Sequence, residues 1–184
     1  RAMEQRDMLP AIYFLFSRRD CEEYAQRVAM MRTRFVKDEQ AEQQIEQVIA
    51  SQLRGLRPED RELEQVSTII SLARRGIGFH HAGLLPILKQ LVEVLFSKGL
   101  MQVVFATDTL ALGVNMPARS VVIGRLNKWD GRQRRLLTPN EFQQMAGRAG
   151  RRGMDEAGHI VVPYSPWVRF STMLEIATGE LEPV

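Results

Sequence analysis

Met101-Gln102-Val103-Val104-Phe105-Ala106-Thr107-Asp108-Thr109 decides the fold. Its first six residues are a short, mostly apolar run, and a run of that length and content is read as a buried strand. A hydroxyl, a carboxylate and a second hydroxyl then stop it. Four more stretches have the same look: Leu9–Phe16, Gly76–His80, Ser120–Gly124 and His159–Pro163. Helical patterns lie between them. Cys21–Val28 follows the first strand, and Pro86–Lys98 has Pro86 near its first turn and Gly99 at its end. Thr138-Pro139-Asn140-Glu141 combines a cap, a proline at the first helical position and an acid at the third. Alternating helices with strands that are apolar throughout predict an α/β fold, a parallel sheet with helices on both faces. Ligands of such sheets bind at the carboxyl ends of the strands, where Thr107 and Asp108 stand.

The chain has 184 residues, enough for one domain with a real core. No apolar run reaches transmembrane length and no signal-peptide pattern opens the chain. Its single cysteine, Cys21, excludes an internal disulfide framework, fits a reducing compartment and predicts a cytoplasmic protein. The chain opens at Arg1-Ala2-Met3 and is read as a piece of a longer protein.

Residues 38–65 carry eight acids against three arginines, a net −5. Ile45, Val48, Ile49 and Leu53 recur at helical spacing, as do Leu63, Val66, Ile69 and Ile70. Gly55 to Pro58 separates the two patterns. Residues 38–72 therefore predict an acidic helical hairpin inserted at the edge of the domain.

Net charge is +3 but unevenly placed: residues 119–152 hold nine Lys/Arg and two acids, for +7, and the remainder holds −4. Such a zone suits an anionic partner at one place, and it equally describes a solvated surface hairpin. Trp129 inside it is placed either to stack on a base or to anchor the loop to the core. The zone ends in Glu141–Gly153, E-F-Q-Q-M-A-G-R-A-G-R-R-G. Arg148 and Arg151 stand three apart, a spacing that puts both guanidiniums on one face of a helix. Gly147, Gly150 and Gly153 each cost a helix roughly 1 kcal/mol, so they suggest close backbone approach to something small and charged. Arginine's fork of donors suits phosphate oxygens. The stretch reads as a phosphate clamp, with a solvated basic turn as the plainer alternative.

Ser17, at a strand end and a helix start, is placed to hold a phosphate or simply to cap the helix. Adjacent His80 and His81 point in opposite directions on a strand and have no partner cluster at ligand spacing, so no metal site is expected. Asp155-Glu156-Ala157-Gly158-His159 reads as a turn before the last strand. No phosphate-binding loop with its lysine is present. The chain therefore offers half of a nucleotide-hydrolysing machine, in which Arg151 acts on a nucleotide held mainly by another domain.

Several of these stretches resemble one family. Gln144–Gly153 looks like motif VI of the superkiller-type DExH-box RNA helicases of superfamily two. Val104–Ala118 resembles their motif V and Phe14–Glu22 their motif IV. His80–Pro86 and Lys128-Trp129-Asp130-Gly131 are also similar to that family. The resemblance implies that residues 1–184 are the second RecA-like domain of an ATP-dependent 3′-to-5′ helicase, inactive alone. Arg148 and Arg151 would reach the γ-phosphate, with Gln144, Gly113 and Asn115 near the nucleotide. ATP with Mg²⁺ would be held mainly by the first RecA-like domain. Ser17, Arg18, Thr107, His81 and Gly83 would face a single-stranded RNA backbone in a sequence-tolerant way. RNA-decay or RNA-processing proteins are the implied partners. Asp108 departs from the family's usual Glu, and Ala146 from its frequent Ser. A grip-only module and a DNA-repair motor are the other readings.

Overall fold

The computed structural model describes residues 2–31 and 34–182; Arg1, Arg32, Thr33, Pro183 and Val184 lie outside them. In chain order the elements are α1 (Ala2–Gln5), β1 (Ala11–Phe14), α2 (Arg18–Met30), α3 (Glu39–Gln52), α4 (Glu64–Ala73), β2 (Ile77–His80) and α5 (Pro86–Ser97). Then come β3 (Val103–Ala106), α6 (Thr109–Gly113), β4 (Ser120–Ile123), β5 (Asn127–Trp129), β6 (Arg134–Leu136), α7 (Pro139–Ala146), β7 (His159–Val161) and α8 (Phe170–Thr178).

Five strands form one parallel sheet in the order β2-β3-β1-β4-β7. It has the RecA-like α/β architecture the sequence predicts. The central strands are apolar because both of their faces are covered: Ile12, Phe14, Val104, Val121 and Ile123 are wholly buried. The chain moves one way along the sheet from β1 to β2, then the other way to β3, β4 and β7. Right-handed crossovers therefore place α2 and α4 on one face and α5 and α7 on the other. This reversal brings the carboxyl ends of β3, β1 and β4 side by side, the position where α/β sheets receive ligands.

The helices start where the residues dictate. Ser17 Oγ accepts from Asp20 N at 3.1 Å and caps α2. Thr138 Oγ1 accepts from Glu141 N at 3.2 Å while Glu141 Oε2 accepts from Thr138 N at 2.9 Å, a complete capping box with Pro139 at the first position of α7. Gly99 ends the α5 region with a left-handed φ of +71°.

The acidic helical pair is less peripheral than its charge suggests. Ile45 and Ile49 of α3 and Val66, Ile69, Leu72 and Ala73 of α4 are buried in the main core. α3 packs on α5, and α4 packs on β2 and α5 and then turns directly into β2. The acids occupy the outer face of a pair whose inner face is core. The last helix also differs from expectation. The sequence predicts a helix over Trp167–Ile176 that leaves the domain, whereas α8 lies back on α7. Ile176 is buried, and Gln143 Nε2 donates to Ala177 O at 2.7 Å.

Truncating Ile69 to Ala should cost the whole domain ~2–5 kcal/mol, the usual loss for an emptied core site. Urea denaturation checks this; a loss confined to local fraying would make α3 and α4 a detachable appendage.

Candidate functional site

The clamp sequence does not continue its helix. α7 ends at Ala146, where Gly147 N donates to Gln143 O and Met145 O. Arg148 and Arg151 therefore lie on a turn, not on one face of a helix as their spacing suggests. The turn is stitched to the loop after α6. Ala149 forms a parallel bridge with Ala118, Ala118 N donates to Arg148 O at 2.9 Å, and Gly150 N donates to Ala118 O at 2.7 Å. The half-buried Arg148 side chain donates to Ala111 O and Val114 O. It thereby supplies a donor to Ala111 O, within the short α6, and a second donor to Val114 O, which also accepts from Met116 N.

The glycines of this stretch serve the chain itself. Gly150 has a left-handed φ of +89°, and a Cβ there would stand 3.3 Å from Gly158. On Gly158, a Cβ would lie 2.5 Å from the carbonyl carbon of Ala149. At Gly150 the close approach expected of a bound anion is made by Gly158, just before β7, while Gly153 has open space around it.

Arg151 is held by a carboxylate. Its Nε and Nη2 donate to the two oxygens of Asp155, each at 2.8 Å, and its backbone N donates to Asp155 Oδ2 at 2.9 Å. Arg119 Nε adds a fourth donor at 2.9 Å and reaches Asp7 with its other end. The Asp155 side chain is 1% exposed. Its carboxyl is held far below the ordinary range, first by the Arg151 hydrogen bonds and against the penalty of burial. Sequence reasoning missed Asp155 as a partner of Arg151. The signal was its position four residues on, in a run read only as a turn.

A second carboxylate organises the neighbouring wall. Glu141 takes Arg135 through two hydrogen bonds of 2.8 and 2.9 Å and Lys128 at 2.8 Å. Lys128 also donates to Asp108 at 2.7 Å, tying the end of β3 to the β5–β6 ribbon and to the start of α7. Glu141 is pushed far below the usual carboxylate range, chiefly by Arg135. Arg119, Lys128, Arg135, Arg148 and Arg151 are thus used internally. Arg125, Arg132, Arg134 and Arg152 are exposed and make no ion pair among the described residues. Trp129 is 62% exposed, so it does not anchor the ribbon to the core.

Gly113, Asn115 and Gln144 are exposed. Arg18 is exposed, with its Nη1 lying 3.2 Å from the point where a Gly83 Cβ would stand. Ser17 is half-buried, with its oxygen engaged in the cap. Thr107 is 8% exposed, and its hydroxyl lies 2.9 Å from that of Thr109. His81 is 4% exposed: Nδ1 accepts from Gly83 N at 3.1 Å and Nε2 meets Glu22 at 2.8 Å. Both nitrogens are spent holding the Gly83 loop, so this ring does not face outward as the resemblance implies. His80 diverges from it and meets Glu93 at 2.8 Å.

A family model described as the helicase conserved C-terminal domain matches residues 57–153. The chain belongs to that family. It is 44% identical over 178 residues to the antiviral helicase SKI2 of Saccharomyces cerevisiae, which is 96% of this chain and 14% of that protein. To the exosome RNA helicase MTR4 of Homo sapiens it is 41% identical over 180 residues, 98% of this chain and 17% of that protein. To the DExH-box ATP-dependent RNA helicase DExH10 of Arabidopsis thaliana it is 42% identical over 180 residues, 98% of this chain and 18% of that protein. The chain thus spans less than a fifth of the curated relatives it matches. The superkiller-type resemblance is therefore shown, over nearly the whole chain. The helicase C-terminal domain model begins beside the Pro58–Asp60 turn, takes in α4 and ends at Gly153. It leaves β1, Ser17, Arg18 and Asp155 outside.

Because Glu141 has a depressed folded pKa, its stabilisation is complete above its unfolded value of about 4.3 and fades as pH falls toward the folded one. Glu141→Gln should therefore lower stability at neutral pH, and the gap to wild type should narrow as the pH falls below about 4. Denaturation midpoints across that range check it; a gap constant with pH would mean that Glu141 charge contributes nothing.

Proposed function

We propose that this chain is the C-terminal motor lobe of an ATP-dependent 3′-to-5′ RNA helicase. The observation that carries the reading is the Arg148 stitch, which fastens the turn bearing Arg151 to the loop that carries Gly113 and Asn115. In this reading the lobe closes on ATP held with Mg²⁺ by the first RecA-like domain of the same protein. ATP and Mg²⁺ would supply the scissile phosphate and its charge neutralisation. Arg151 then presents donors to the γ-phosphate, and Arg148 holds the loop of Gly113 and Asn115 against the nucleotide while offering its remaining donors. Gln144 flanks them.

Single-stranded RNA lies along Ser17, Arg18, Gly83 and Thr107, where donors meet the backbone without reading bases. His81 contributes by fixing the Gly83 loop. Exposed Arg125, Arg132 and Arg134 add a salt-sensitive attraction. The names of the relatives, an antiviral helicase and an exosome helicase, support RNA decay or processing as the pathway, with proteins of that pathway as partners. The buried cysteine Cys21, its thiol pKa pushed up to about 12 chiefly by burial, suits a reducing setting, with the cytoplasm the expected one beside the nucleus or an organelle.

One observation favours a second reading, in which the lobe grips nucleic acid without hydrolysis: Arg151 is engaged by Asp155. Arg151→Ala in the intact protein separates the two. The motor reading expects RNA-stimulated turnover to fall by about 10³–10⁵-fold, the worth of an arginine finger, with RNA affinity largely kept. It also expects no hydrolysis from this lobe alone. Steady-state hydrolysis with RNA titration is the measurement, and near-normal turnover in the variant would remove Arg151 from the mechanism.

A further inference from the structure

The Arg151–Asp155 pair is unlike the other ion pairs of the domain. Several of those join two exposed side chains and contribute little. Here a carboxylate 1% exposed is saturated by four N–H donors, three of them from Arg151 itself. The backbone closes the same loop. Met154 N and Asp155 N both donate to Arg151 O at 3.0 Å. Gly150 and Gly153 supply the left-handed φ values that the turn needs, and Gly158 closes it from outside.

The geometry leaves part of the guanidinium available. Asp155 takes the Nε–Nη2 edge, so the plane of the group is fixed. Nη1 has no partner among the described residues, and the Arg151 side chain is 20% exposed. Arg119 is the second cation on the same carboxylate and is itself paired with Asp7. The Asp155 pair therefore fixes one edge of Arg151 and leaves Nη1 unpaired among the described residues. The same logic operates wherever a buried acid fixes a cationic catalytic group and leaves its working face open.

We infer that Asp155 is the positioning residue for Arg151, holding its Nε–Nη2 edge so that Nη1 is presented to the terminal phosphate of ATP. This inference rests on the motor reading above. In it the pair persists through turnover and sets the geometry of the finger. A loosened guanidinium would cost rate in proportion to its misplacement, about 10²-fold for an ångström-scale error.

The test uses the full-length protein, saturated with RNA, in steady-state ATP hydrolysis. Asp155→Asn keeps the shape and removes the charge that fixes the guanidinium. It should lower kcat by about 10²-fold while changing the KM for ATP and the Kd for RNA by no more than about threefold. In an Arg151→Lys background, where no fork remains to be oriented, Asp155→Asn should lower kcat no further. Arg119→Gln removes the other cation from Asp155 and should leave kcat near wild type.

Equal losses from Asp155→Asn in both backgrounds, or a loss with Arg119→Gln as large as that with Asp155→Asn, would make the carboxylate a mere staple of the turn and overturn the inference. Unchanged kcat in Asp155→Asn beside a disabled Arg151→Ala would overturn it too, while leaving the finger itself standing. Normal turnover in Arg151→Ala would defeat the motor reading first. Should Asp155→Asn fail to fold, Asp155→Glu keeps the charge but displaces it; lowered kcat with unchanged RNA affinity supports positioning, and wild-type kcat contradicts it.

Discussion

The site depends on one contact, the donation from the Arg148 guanidinium to the carbonyls of Ala111 and Val114. α6 is barely more than a turn, and its last carbonyls have no partner within the helix. A half-buried arginine supplies donors from a different part of the chain. Together with the Ala118–Ala149 bridge, it fastens the turn after α7 to the loop after α6. Two stretches more than 30 residues apart, each ordinary alone, thereby become one surface. A lysine at this position would offer a point charge in place of a planar fork and could not serve both carbonyls in the same fixed plane.

Two carboxylates then decide which cations of the basic zone remain available. Asp155 holds Arg151 and Arg119, and Glu141 holds Arg135 and Lys128. Asp155 is the more deeply shielded of the two, and its removal would leave the Arg151 guanidinium without its carboxylate, whereas Arg119 keeps Asp7 and Lys128 keeps Asp108. What stays exposed is a smaller set on the β5–β6 ribbon and around it, Arg125, Arg132 and Arg134, with Trp129 beside them. Counting charges along the sequence therefore overstates the basic surface. The number that matters to an anionic partner is what internal pairing leaves over.

Much of the fold was legible in the sequence. Apolar runs such as Ile12–Phe14 and Val103–Ala106 are readable because a strand covered on both faces needs no polar side. Thr138, Pro139 and Glu141 announced α7 because capping is local chemistry. The misreadings share a cause. Spacing alone puts Arg148 and Arg151 on one helical face and makes Gly150 room for a ligand. Both inferences used neighbours in sequence, whereas the decisive partners, Ala111, Val114 and Gly158, arrive from elsewhere in the fold. His81 was read as outward-facing for the same reason, since Glu22 is 59 positions away. The acidic pair α3–α4 looked peripheral because charge patterns describe the wet face of a helix and say nothing about how much the dry face buries.

The central claim is that the Arg148–Arg151 turn completes a nucleotide pocket whose other wall lies in a neighbouring lobe. A structure of the full-length protein with RNA and a non-hydrolysable ATP analogue tests it most directly. The Arg151 guanidinium is expected within about 2.7–2.9 Å of a terminal-phosphate oxygen, the range of a charge-assisted hydrogen bond. An analogue bound between closed lobes, with both arginines beyond reach of every phosphate oxygen, would contradict it.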